Sequence, residues 1–152
     1  MVTPVHTLEP RKALSVNLQF TRGRHGAAAR IELHDPPGGR LAVLELRGWI
    51  DLSAERRLEQ TLEDLASCGV GRLLVDCSPL RHIDYRMVPR LVQALGRFES
   101  RSGSVALGGL SRYLRDLFRL AGCDPVVGAW RPADEAYLPA ARSDAFHGER
   151  AS

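Results

Sequence analysis

One segment of the 152-residue chain gathers groups that could do chemistry. Asp76, Cys77, Ser78, His82 and Asp84 fall together in LLVDCSPLRHIDYR. A thiol or hydroxyl nucleophile, an imidazole base and a carboxylate to orient it are the parts of nucleophilic catalysis. Their setting argues against that use. Cys77 closes an apolar strand pattern, and Ser78 opens a turn, where serine bonds backbone groups. No GxSxG elbow, phosphate loop or metal-ligand spacing occurs, and the glycines of GRHG and PPGG read as turn glycines. Cys68, Cys77 and Cys123 form no CxxC pair and read as free thiols. The sequence predicts no catalytic residue, no metal and no cofactor.

The elements that must position this segment alternate. ALSVNLQF places Leu14, Val16, Leu18 and Phe20 on one face of a strand, with Ser15, Asn17 and Gln19 on the other. TRGRHG is a basic turn containing Arg22, Arg24 and His25. ARIELHD and RLAVLELRG read as further strands, joined by PPGG. A helix follows over DLSAERRLEQTLEDLASCG, with Ala54, Leu58, Leu62 and Leu65 at helical spacing, Ser53 as its cap and Gly69 as its stop. RLLVDCS leaves no polar face and reads as a buried strand. After a short loop, a helix opening at Asp84 brings Met87, Leu91, Ala94 and Phe98 to one side. SVALGGL is a strand, and SRYLRDLFRLAG a helix capped by Ser111. PVVGAW reads as a last strand, and RPADEAYLPAA as a terminal helix. Strands and helices in this order argue for an α/β domain with a mixed, mostly parallel sheet and crossover helices. The division is a flexible segment 1–12, an N-terminal β extension 13–29, a domain 30–140 and a flexible tail 141–152.

Charge and hydropathy narrow the partners. The net charge is +3, but residues 1–30 carry +4, so the remainder carries −1. Aromatic residues make up only 6%, against the basic face with interleaved aromatics expected of a nucleic-acid binder. No apolar run approaches the roughly 20 residues of a membrane span, and MVTPVHTLEPRKA lacks the apolar core of a signal peptide. The chain reads as cytoplasmic, without nucleic acid and without membrane insertion.

Three motifs in order resemble one family. LAVLELRGWIDLSAERRLEQTL, through Gly48 and Asp51, is similar to the LxGxLD segment of STAS domains, the fold of bacterial anti-sigma factor antagonists. LLVDCSPLRHID, through Asp76, Ser78 and Asp84, is similar to that family's DLSxxxxxD strand and loop. LFRLAGCDPVV, through Leu117, Gly122 and Asp124, resembles its late LxxxGxD helix end. The likeness covers about residues 30–140 and implies a STAS-like domain behind an N-terminal β extension.

In that family the loop runs Asp-Ser-Ser-Gly, and its second serine is phosphorylated by a partner kinase that is also the anti-sigma factor. Here Asp84 is followed by Tyr85, Arg86 and Met87, and no Ser or Thr lies between Ser78 and Ser100. Arg86 stands at the phosphosite position and cannot be phosphorylated. Phosphoserine carries close to −2 and arginine +1, so Arg86 does not imitate the phosphorylated state. A helix starting at Tyr85 would also crowd Pro89, so the first turn is expected to be tightened, shifted or kinked.

The resemblance therefore implies a non-enzymatic regulatory binding module in transcription and signal transduction. It would dock on a GHKL-type anti-sigma kinase, or another STAS-containing complex, through Asp51, Asp84, Tyr85, Arg86, Met87 and Arg90. Arg86, Arg90 and Arg97 form a stripe suited to an acidic partner or merely solvated. The alternative is a degenerate STAS scaffold or a transporter-associated cytoplasmic subunit of a lipid-transport or sensory complex. A homodimer through the N-terminal strand, which edge strands invite, is a further option.

Overall fold

The computed structural model describes residues 14–20 and 26–123. Its core is a six-stranded sheet. Strands β1 (Leu14–Gln19), β2 (Ala28–His34) and β3 (Arg40–Ile50) run as an antiparallel meander. Strands β4 (Val70–Asp76) and β6 (Ser104–Gly108) continue the sheet in parallel from β3, giving the order β1-β2-β3-β4-β6. A short strand β5 (Leu80–Ile83) pairs in parallel with the far end of β3. Sequence periodicity read β5 as loop. Its four residues are too few to show an alternation, and only the pairing to β3 defines them.

β3 serves two neighbours in turn. Arg40–Glu45 pairs with β4, and Gly48–Ile50 pairs with β5. The changeover falls at Gly48, whose φ of +80° suits a residue without Cβ, and the register shifts there. The family-like glycine is thus where the strand turns from one partner to the next.

Alternation sorts the side chains into two faces. Ala29, Ile31, Leu33, Ala42, Leu44, Leu46, Leu73, Val75 and Leu107 point into the main core. Leu41, Val43, Leu74 and Ala106 form a smaller buried cluster on the opposite face. Among the described residues, three helices pack on the main core. Helix α1 (Glu55–Ser67) buries Leu58, Thr61, Leu62 and Leu65. Helix α2 (Met87–Arg101) buries Met87, Val88, Leu91, Ala94, Leu95 and Phe98. Helix α3 (Arg112–Leu120) buries Leu114 and Phe118. The expected inward faces of α1 and α2 are borne out.

Caps explain the boundaries. Ser111 Oγ accepts from the Leu114 amide at 3.1 Å, as expected. The expected Ser53 cap is corrected. Asp51 caps a 3-10 turn, Leu52–Ala54, that leads into α1, and the Ser53 hydroxyl donates to Asp51 instead. Helix α2 opens at Met87, not Asp84. The Met87 and Val88 amides bond to the Asp84 and Tyr85 carbonyls in a tightened turn. Pro89 then falls in the first helical turn, where a missing N–H leaves no bond unmade. The strand and helix expected after Cys123, the segment 1–12, the basic turn 21–25 and the tail 141–152 lie outside the described residues.

Phe118 is fully buried and ties α3 to the core. Phe118→Ala is expected to cost about 3–5 kcal/mol, read as a lowered urea midpoint at unchanged slope.

Candidate functional site

β3, β4 and β5 all end in the same local device. At each end an aspartate Oδ1 accepts the amide two residues on, an Asx turn that satisfies a backbone donor leaving the sheet. Asp51 Oδ1 accepts from Ser53 N–H at 3.0 Å and from the Ser53 hydroxyl. Asp76 Oδ1 accepts from Ser78 N–H at 3.0 Å and Ser78 Oγ at 2.6 Å. Asp84 Oδ1 accepts from Arg86 N–H at 2.9 Å. Serine supplies the second donor at the first two turns. At the third the Arg86 guanidinium supplies it, through Nε to Oδ1 at 3.1 Å and Nη2 to Oδ2 at 2.7 Å. Arg86 thus occupies the site of a turn serine and closes the turn with a fork of its own. The repeat D51-x-S, D76-x-S, D84-x-R was present in the sequence as a spacing.

Packing locks this rim. Asp84 N–H donates to the Ile50 carbonyl at 2.8 Å, tying the ends of β5 and β3 together. Cys77 N–H donates to the Gly108 carbonyl at 2.8 Å, doing the same for β4 and β6. Gly109 has φ +78°, and a Cβ there would stand 2.6 Å from Ser78 Oγ and 2.8 Å from Asp76 Oδ1. Asp76 itself is buried, which pushes its carboxyl above the usual range, while the Ser78 bonds pull the other way.

Nucleophile, base and carboxylate are each engaged elsewhere. Cys77 is fully buried, and burial followed by the neighbouring Asp76 pushes its thiol far up. The Ser78 hydroxyl donates to Asp76. The Asp84 carboxylate is held by Arg86. His82 Nδ1 lies 2.6 Å from the Tyr113 hydroxyl. Among the described residues no His, Cys, Asp and Glu group has the arrangement of a metal site.

What the rim presents is aromatic. Trp49, on β3, packs at a tilt against His82, on β5, with ring centroids 5.1 Å apart. His82 stacks on Tyr113, on α3, at 5.8 Å. Trp49 is 44% exposed, Tyr113 51% and Tyr85 60%. Trp49 and His82 lie two residues before Asp51 and Asp84, so the stack borders the two turns. Neither Trp49 nor Tyr113 was expected at the site. Tyr113 arrives from 31 residues beyond His82, a distance that periodicity cannot bridge.

Of the expected site residues, Asp51, Asp84, Tyr85 and Arg86 gather at this rim, and Arg90 stands one helical turn further on. Met87 is a correction. It is 1% exposed and packs under the helix start, because an apolar side chain at the first α2 position faces the core. The arginine stripe is also more committed than a docking stripe would be. Arg86 pairs with Asp84, Arg90 with Glu55 at 2.9 Å, and Arg97 with Glu59 at 3.2 Å. The latter two pairs join α2 to α1 side by side.

Residues 25–128 match the family model described as Mlab, STAS domain, and the chain belongs to the STAS domain family. No curated protein matches it significantly. Among solved structures it is similar to an anti-sigma factor antagonist from Mycobacterium paratuberculosis, with 18% identity over 84% of this chain and 97% of that one, TM-score 0.58. It is similar to the anti-sigma factor antagonist SpoIIAA in its unphosphorylated form, with 18% identity over 71% of this chain and 89% of that one, TM-score 0.51. It is also similar to part of the murine anion transporter Slc26a9, with 11% identity over 99% of this chain and 24% of that one, TM-score 0.52. At these identities the likeness is one of fold. The mixed α/β architecture expected from the sequence is that fold.

The Arg86 fork has a titration signature. Its side-chain bonds, then its amide, hold the Asp84 carboxyl down at about 2. The free carboxylate titrates near 3.9, so the folded value is the lower one. The contribution is present above about pH 4 and lost as pH falls through about 2. Carboxyl-carbon NMR titration is expected to show Asp84 returning toward the ordinary range in Arg86→Gln. The stability change is small, because the pair is solvent-screened.

Proposed function

We propose that the chain is a non-enzymatic regulatory module that docks on a kinase-type anti-sigma factor of the GHKL class, in the manner of an anti-sigma factor antagonist. STAS domains are in general binding modules rather than enzymes. The fold shared with two anti-sigma factor antagonists supports the reading, and such a partner would place the chain in the cytoplasm. The docking surface is Asp51, Asp84, Tyr85, Arg86 and Arg90, extended by Trp49, His82 and Tyr113. Exposed Trp, Tyr and Arg side chains are those that carry most binding energy at protein interfaces.

The observation that carries the proposal is the closed Asp84–Arg86 turn. It closes in the way the turns at Asp51 and Asp76 do, with a guanidinium where those turns have a hydroxyl. Docking is therefore constitutive at this loop, not gated by its phosphorylation. Arg86→Ser gives the loop the Asp-x-Ser pattern that closes the turns at Asp51 and Asp76.

Affinity capture from native lysate tests the partner. Wild type is expected to retain a GHKL-type kinase, and Trp49→Ala and Arg86→Glu to weaken retention at least tenfold, about 1.4 kcal/mol. Capture indifferent to both substitutions would remove the surface from consideration. With the purified kinase and ATP, Arg86→Ser is expected to take up phosphate at position 86, and wild type none there.

A second reading is a scaffold or transporter-associated subunit of a lipid-transport or sensory complex. Its support is the likeness to part of an anion transporter and the family model's own description. Retention of membrane-transport components in place of the kinase would favour it.

A further inference from the structure

β1 is the last strand of the sheet on its side, and no described strand lies beyond it. The hydrogen-bond pattern says which of its groups face outward. Phe20 N–H donates to the Ala27 carbonyl at 2.8 Å, so Phe20 turns its backbone toward the neighbouring strand. In an antiparallel ladder, alternate residues turn both backbone groups to the same side. Val16 and Leu18 therefore bond inward to β2, and Ser15, Asn17 and Gln19 face out. The Gln19 carbonyl is taken by Arg57 Nη1, which reaches over from α1 at 3.1 Å. The outward amides and carbonyls of Ser15 and Asn17 have no partner among the described residues.

Edge strands of monomers are normally blunted by charge, proline, a bulge or a cover. LSVNLQ contains no charged residue and no proline, and it pairs with β2 in unbroken register over all six residues. β1 also lies before the residues, 25–128, that match the STAS family model, so it is an addition to what the family fold requires.

We propose that β1 pairs antiparallel with β1 of a second copy of this chain, across a two-fold axis at Val16. An antiparallel edge meeting itself is an isologous contact and closes as a dimer. Arg57 selects the register. Centring on Val16 sets Ser15 opposite Asn17 of the second copy, and uses only the outward groups that are open. Centring on Asn17 would require the Gln19 carbonyl that Arg57 already holds. At the centre Val16 meets Val16 of the second copy at a non-hydrogen-bonded position, with Cα atoms about 4.5 Å apart. Val16 and Leu18 are half-buried, and Val16 stands opposite Ile31 of the main core. The apolar face thus runs from one core into the other. This inference does not depend on the docking reading.

Sedimentation velocity over a concentration series is expected to show a dimer. Asn17→Pro removes an outward amide and spares the β2 ladder. It should raise the dimer dissociation constant at least about tenfold, with the circular dichroism spectrum unchanged. Cys68 is exposed, so cross-linking uses a Cys68→Ser background. There Val16→Cys is expected to form a disulfide-linked dimer on mild oxidation, and Asn17→Cys not to. A wild type that stays monomeric throughout overturns the proposal. So does a dimer in which Val16→Cys fails to cross-link, whether or not Asn17→Pro folds.

Discussion

A carboxylate accepting the amide two residues ahead holds the working edge of this sheet. Every strand that leaves a sheet strands a backbone donor, and an unpaired donor near the core costs about as much as a lost hydrogen bond. Asp51, Asp76 and Asp84 meet that demand at the ends of β3, β4 and β5. The remaining geometry of the rim follows. The turn at Asp51 starts the 3-10 segment before α1, and the turn at Asp84 sets where α2 begins. The turn at Asp76 is so close to Gly109 that no side chain could stand there. Moving any of these carboxylates would move the surface built on them.

That surface is assembled from distant parts of the chain by the sheet's topology. Because β3 pairs first with β4 and then with β5, its last residues lie beside a strand that comes some 30 residues later. This brings Trp49 against His82, and the packing of α3 adds Tyr113. The rings stand on secondary structure, not on long loops, so a partner would meet them already arranged. Less ordering is then lost on binding. Pro89 contributes in the same direction, since it stiffens the helix start without depriving it of a bond.

The fold was legible because its signals are local and repeated. Alternation marked β1 and β2, helical spacing marked the buried faces of the helices, and Ser111 marked the start of α3. The family-like positions Gly48, Asp51, Asp76, Ser78 and Asp84 coincide with a bulge and with strand ends, positions where backbone geometry constrains residue type. The site was legible in part. Asp84 and Arg86 could be placed at a helix start, but not the fork between them, which depends on rotamers. Met87 carries two expectations, a place on the apolar side with Leu91, Ala94 and Phe98 and a place among the docking residues, and its burial agrees only with the first. A first-turn helical residue can face the core while the residue before it faces water. The aromatic stack left no sequence trace, because it joins three elements that only the tertiary fold brings together. The arginine stripe was visible, but its neutralisation was not, since Glu55 and Glu59 stand on another helix.

That neutralisation bears on the speed of encounter. Association rates rise by orders of magnitude when a protein presents an unbalanced field that guides its partner inward, and such rates fall steeply with added salt. Here Arg86, Arg90 and Arg97 are each matched at short range by Asp84, Glu55 and Glu59. At distances beyond the Debye length, about 8 Å in physiological salt, paired charges of this kind largely cancel. The stripe would therefore add little long-range guidance to the face's encounter with a partner. The face's selectivity would then reside in how slowly the complex comes apart, a property of ring packing and turn shape that ionic strength barely touches.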